Sequence, residues 1–186
     1  MDDLFIDVSE VLGLKEEEQR ISDIIFSKLS KIADNWINEK GDGILVVIGN
    51  FYSGIINNMD FISNNNLITE DDKIWINDES SGEKLKQFST EPNDGAILVH
   101  LNGKVIAAGV NLIMDDKQKL KAAREANPPN GGMRHIAGIY TSMREDVLSV
   151  IVMSGETGKV TLWKNGSRVK IYDPIKEKNG DKNERV

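Results

Sequence analysis

Two apolar runs, GAILVHL (95–101) and KVIAAGVNLIM (104–114), are separated only by Asn102-Gly103. No other stretch constrains the fold as tightly. Asn-Gly between strand-like runs predicts a hairpin with a type I′ turn, because both central residues of that turn need positive φ. Two more runs, GILVVIG (43–49) and VLSVIVM (147–153), are apolar at both alternating sets of positions. A strand covered on both faces reads this way. KVTLW (159–163) and RVKIY (168–172) flank a second tight turn at Asn165-Gly166, and KIWIN (73–77) alternates like a strand.

Helical periodicity marks the rest. Over residues 15–39, Ile21, Ile25, Leu29, Ile32, Trp36 and Ile37 recur at helical spacing among charged residues, and Leu12 and Leu14 either extend that face or meet a partner. Gly41 and Gly43 stop this helix. Residues 115–127 read as a polar helix ended by Pro128-Pro129. Met133, Ile136, Ala137, Tyr140 and Met143 mark another helix. The Asn-rich stretch 50–70 is expected to hold one short helix among loops, and 79–94 a short helix or loop. The order predicts a mixed α/β fold: one domain with a central mixed sheet flanked by helices. The expected boundaries are an N-terminal amphipathic helix over 1–40, the domain over 41–173, and a disordered polar tail over 174–186.

Composition narrows the function. The chain has 186 residues, 39% hydrophobic and 28% charged, with a net charge of −7. A duplex nucleic acid partner asks for a basic face, and no basic run is present. A small anionic ligand needs only a few local cations and backbone amides. No apolar stretch of about 18 residues occurs, so no membrane span is expected. The acidic N-terminus differs from a secretory signal, and cysteine is absent. These features lead us to expect a cytoplasmic protein.

Three turns carry residues suited to chemistry. Asn93-Asp94-Gly95-Ala96 opens a strand. Its carboxylate is placed to offer an oxygen to a metal or hydroxyl, and the plain alternative is an Asx-turn. Gly131-Gly132-Met133-Arg134-His135 opens a helix, where bare amides and the helix dipole favour an anion. Arg134 adds a fork of donors matched to phosphate oxygens, and His135 can ligate a metal or donate a hydrogen bond. The plain alternative is a helix start with a surface arginine. Ser154-Gly155-Glu156-Thr157-Gly158 offers a hydroxyl and a carboxylate in one turn, or is simply a polar hairpin loop. His100 reads as a satisfied sheet histidine. Trp36, Trp75 and Trp163 read as core or interface anchors, and Asp115-Asp116 as a helix cap. G-x-S-x-G, the Walker A loop and G-x-G-x-x-G are all missing, so a conventional hydrolase, ATPase or dinucleotide fold is unsupported.

Taken in order, a DGA strand start, a hairpin ending in VNLIM, GGMRH opening a helix, and a strand running into SGETG and KVTLWKNG resemble the diadenylate cyclase (DAC) domain family from about Gly43 to Arg168. The resemblance implies a nucleotidyltransferase that joins two ATP molecules into cyclic di-AMP. It implies a face-to-face dimer and a divalent metal, magnesium or manganese. Asp94, Arg134 and His135 would be catalytic. Gly95, Ala96, Leu112, Gly132, Met133, Arg134, Ser154, Glu156 and Thr157 would bind nucleotide. Asp94, His135 and Glu156 would hold the metal. Where the family reads G-T-R-H-R, this chain has Gly132-Met133-Arg134-His135-Ile136, without the threonine hydroxyl or the second arginine. Two main readings follow: an active diadenylate cyclase, or a DAC-like domain that binds or senses a nucleotide or cyclic dinucleotide. A third is an interaction protein without a nucleotide. The N-terminal helix lies outside the matched stretch, which suggests a regulatory element holding protomers in a non-productive oligomer.

Overall fold

The computed structural model describes residues 8–36, 42–51, 60–61, 68, 73–90 and 95–178. The elements in chain order are α1 (Val8–Trp36), β1 (Ile44–Gly49), β2 (Asp60–Phe61), α2 (Ser81–Phe88), β3 (Ala96–His100), β4 (Val105–Asn111), α3 (Lys117–Ala126), α4 (Met133–Ser142), β5 (Val147–Met153), β6 (Val160–Lys164), β7 (Ser167–Tyr172) and α5 (Pro174–Lys178). The strands form one sheet in the order β2-β4-β3-β1-β5-β6-β7. Among the described residues only β1 and β3 run parallel; the other pairs are antiparallel. The fold is mixed α/β, as the sequence predicts.

Alternation along the central strands feeds two cores. Ile44, Val46 and Ile48 of β1, with Ile97, Val99, Ile151 and Met153, pack against Ile21, Ile25, Phe26, Leu29 and Ala33 of α1. Leu45 and Val47, with Leu98, Val150, Val152 and Trp163, pack against Ile139 and Tyr140 of α4 and Ala123 of α3. The two apolar sets of GILVVIG and VLSVIVM are therefore both used, one per face.

The sequence sets residues 1–40 apart from the domain, but α1 is a full layer of it. Ile21, Ile25, Leu29 and Ala33 are completely buried. The Ser22 and Ser149 hydroxyls share a buried hydrogen bond of 2.9 Å between α1 and β5. The Tyr172 hydroxyl of β7 donates to the Asp34 carboxylate of α1. Burial and that carboxylate push the phenol pKa well above its ordinary value. Among the described residues, no helix is long and apolar enough to cross a membrane.

Several local expectations change. The turn at Asn102-Gly103 is not type I′, because Gly103 takes φ 87° while Asn165 is the sole non-glycine at positive φ among the described residues. The Gly103 amide donates to the His100 carbonyl at 2.8 Å, and the His100 amide to the Lys104 carbonyl at 2.9 Å. His100 Nδ1 accepts from the Asn102 amide, and Asn102 Oδ1 from the Lys104 amide. These bonds hold a longer loop with a left-handed glycine at its end. Both central residues take positive φ at Asn165-Gly166, 47° and 74°.

KIWIN yields a single bridge, Trp75 with Lys104, and not a strand. The Asp78 carboxylate accepts from the Trp75 amide and the Ser81 hydroxyl donates to the Ile76 carbonyl, curling the chain toward α2. Asp116 caps α3, accepting from the Gln118 and Lys119 amides. Trp163 is buried and Trp75 is exposed. The tail expected to be disordered from Pro174 begins with α5, whose Pro174 is buried. Residues 52–59 and 62–67, where a short helix is expected, lie outside the described residues.

Candidate functional site

Three chain segments meet at one end of the sheet. Ile44, at the start of β1, lies opposite Met153, at the end of β5. The start of β3 lies beside β1, with Ala96 opposite Leu45, and the end of β4 follows, with Val110 opposite Ala96. Helix α4 crosses above with its N-terminus toward this end. Its seat is set by Gly138, where a Cβ would come within 2.6 Å of Val152 Cγ2. A glycine inside a helix costs about 0.5–1 kcal/mol relative to alanine. Here the missing methyl lets the helix lie close on the sheet.

The result is a cleft of about 670 Å³ lined by Asp42, Gly43, Gly132, Met133, Arg134, His135, Met153, Ser154, Gly155 and Glu156. One wall is the first turn of α4. Its N-cap, Gly132, is extended and makes no side-chain cap. Nothing lies within 4 Å of where a Gly132 Cβ would stand, so the backbone there faces open space. An uncapped helix start presents amide donors and the positive end of the dipole. Arg134 adds a full positive charge.

The opposite wall is the turn after β5. The Ser154 amide donates to the Lys159 carbonyl and the Gly158 amide to the Ser154 carbonyl, each at 2.9 Å. The Ser154 hydroxyl accepts from the Thr157 amide. This lock holds the Glu156 carboxylate exposed at the cleft.

His135 is the buried titratable group of the cleft, 7% exposed. Burial lowers its pKa below the ordinary 6.5, and the Glu156 carboxylate opposes that shift more weakly. Burial thus favours the neutral imidazole, the form that can ligate a cation.

Of the residues singled out in the sequence, Gly132, Met133, Arg134, His135, Ser154 and Glu156 come together. Thr157 is left out of the lining, and its hydroxyl accepts from the Lys159 amide within the turn. Ala96 is buried in the sheet, and Leu112 packs on the core cluster under α4. At Gly95 a Cβ would meet the Gly109 carbonyl carbon at 2.6 Å and the Val110 nitrogen at 2.7 Å. The neighbouring strand by itself demands the glycine of DGA. Asp94 lies outside the described residues.

His135 and Glu156 are two donors of the kind a divalent ion takes, imidazole nitrogen and carboxylate oxygen. Among the described residues no three His, Asp or Glu side chains cluster as a metal site. The pair fits magnesium or manganese only as part of a set completed from elsewhere.

Sequence reading gave Asp42, Gly43 and Met153 no place at the site, and named Gly155 only as part of the Ser154–Gly158 turn. A signal was available for the first two. Asp42-Gly43 precedes β1 as Asp94-Gly95 precedes β3, and β1 and β3 are the parallel pair.

The fold is a three-layer mixed α/β domain whose cleft opens at an uncapped helix start, a setting that suits phosphate groups in general. Residues 32–168 match the DAC family, described as DisA bacterial checkpoint controller nucleotide-binding. The chain belongs to this family. No curated protein matches it. Among solved structures it is similar to a cysteine double mutant of DacA from Staphylococcus aureus, at 20% identity and TM-score 0.53, covering 89% of this chain and 93% of that one. It is also similar to a hypothetical membrane spanning protein from Bacillus cereus, at 19% identity and TM-score 0.53, covering 82% of this chain and 62% of that one.

Proposed function

We propose that this DAC domain condenses two ATP molecules into cyclic di-AMP, releasing two pyrophosphates. The observation that carries the reading is the cleft in which the start of α4, with Arg134 and His135, faces Glu156. Each protomer holds one ATP. Two protomers meet face to face, because a single site owns only half of the reacting pair. Each 3′-hydroxyl oxygen attacks the α-phosphorus of the other nucleotide, the new P–O bond forms, and the bond to pyrophosphate breaks. The hydroxyl proton leaves toward solvent by way of the Asp94 carboxylate. Such transfers depend on alignment and charge neutralisation.

Arg134 and the amides near Met133 hold phosphate oxygens, with Gly132 leaving them access. Ser154 donates its hydroxyl to the same group. Adenine lies toward Gly95 and Leu112. Asp94, His135 and Glu156 would hold magnesium or manganese, which supplies Lewis-acid polarisation of the phosphate when bound. Burial keeps His135 unprotonated for that task. The chemistry belongs in the cytoplasm, where ATP is made.

Of the two departures from the family pattern, only one touches the cleft. Met133 lines it, whereas Ile136 packs against the core under α4. The test is incubation with ATP and manganese, followed by chromatography for cyclic di-AMP and pyrophosphate. Asp94→Asn abolishes turnover with a modest loss of binding. ATP binding by calorimetry without product favours a nucleotide sensor, and no adenine-nucleotide binding removes both readings.

A further inference from the structure

Gly43 does more than precede a strand. Its backbone is not left-handed, since the positive-φ glycines among the described residues are Gly103, Gly109, Gly158 and Gly166. Conformation therefore does not demand glycine here. Space does. A Cβ at Gly43 would stand 2.7 Å from Arg134 Nη1, 2.8 Å from the Met153 carbonyl oxygen and 3.0 Å from the Gly155 nitrogen. Real Cβ atoms almost never approach within 3.0 Å. The three neighbours come from three walls of the cleft: the first turn of α4, the end of β5 and the turn after it.

Alternation explains the direction. Ile44 faces the α1 core and Leu45 the α4 core. Gly43 shares the side of Leu45, so any side chain there would point at the first turn of α4. The guanidinium occupies that volume instead.

We propose that Gly43 is a positioning residue for Arg134: the absent side chain at the start of β1 is the seat of the guanidinium, and it fixes the cation between the helix start and the turn bearing Glu156. The nucleotide arm of the test rests on the cyclase reading; the seat itself does not.

The test is a double-mutant cycle on the full chain, with Gly43→Ala, Arg134→Ala and both together, read by thermal midpoint without ligand and by ATP affinity with manganese. Gly43→Ala lowers the midpoint, and Arg134→Ala in the same chain recovers only the part owed to the guanidinium, because the Met153 carbonyl oxygen and the Gly155 nitrogen still crowd the added methyl. If Gly43→Ala fails to fold while the double variant folds, the proposal stands. An equal loss in both backgrounds, or failure of both to fold, overturns it, since backbone crowding alone then explains the glycine.

For ATP, Gly43→Ala and Arg134→Ala each weaken binding by roughly ten- to a hundredfold, the worth of a charge-assisted hydrogen bond. The double variant is no weaker than Arg134→Ala alone. Multiplied losses overturn the link between the residues. A wild-type chain that binds no ATP refutes the cyclase reading, while the thermal cycle still decides the seat.

Discussion

His135 and Glu156 sit across the cleft from each other on different elements, a helix start and a strand-end turn, and burial and the carboxylate act against each other on the imidazole proton. Burial depresses the imidazole pKa and the carboxylate pulls it partway back. Glu156→Gln removes the opposing influence, so the His135 pKa falls further. An imidazole titration by NMR in both chains checks this, and an unchanged midpoint would show that the two groups do not sense each other.

The same shift fixes a pH dependence of stability. The unfolded chain takes up a proton at His135 near the ordinary 6.5, while the native state resists it to lower pH. The stability this histidine protects is therefore complete above that value and declines as pH falls from it toward the depressed native pKa. Asp146 and Asp173 have carboxyls held below the ordinary 3.8 by Arg144 and Lys159, and they act only in a more acidic window. His135→Gln flattens the decline between neutral and mildly acidic pH in urea midpoints, leaving the acid limb in place.

Gly138→Ala inserts a methyl where Val152 Cγ2 already sits. Overpacking of this kind costs about 1–3 kcal/mol. The helix must lift from β5, and it carries Arg134 and His135 with it. Denaturant midpoint and ATP affinity are expected to fall together.

Leu29→Ala opens a cavity between α1 and the sheet, at a cost of about 2–5 kcal/mol. Leu29 is fully buried there. Removing residues 1–39 strips that whole layer, so the shortened chain is expected to aggregate and not to become a deregulated domain. A folded, monodisperse truncation in light scattering would revive the idea of a detachable regulatory helix.

What could be read in the letters follows from how local each cause is. VLSVIVM became β5 at the bounds expected, because an apolar run on both faces has one economical placement. GGMRH opened α4 as foreseen, since glycines followed by helical periodicity specify a start locally. KIWIN alternates as expected, with Ile74 and Ile76 buried and Trp75 exposed, but it stops at a single bridge because Asp78 and Ser81 bind the backbone and turn the chain. The type I′ expectation at Asn102 failed because His100 and Asn102 supply side-chain bonds that a dipeptide rule ignores. Within the cleft, Arg134, His135 and Glu156 were legible from their own turns. Gly43 was not, because its surroundings come from Arg134, Met153 and Gly155, far along the chain, which only the assembled sheet brings close.

The pairing of β1 with β5 has one more consequence. Side chains alternate across a strand, so sliding β1 by one residue against its neighbours inverts it: Ile44 would face α4 and Gly43 would turn away from the guanidinium. Under the proposed function, nucleotide affinity is thus an indirect gauge of strand alignment. Mutations deep in β1 or β5, remote from any phosphate, should reveal a misaligned sheet as lost binding even where circular dichroism still reports a folded chain.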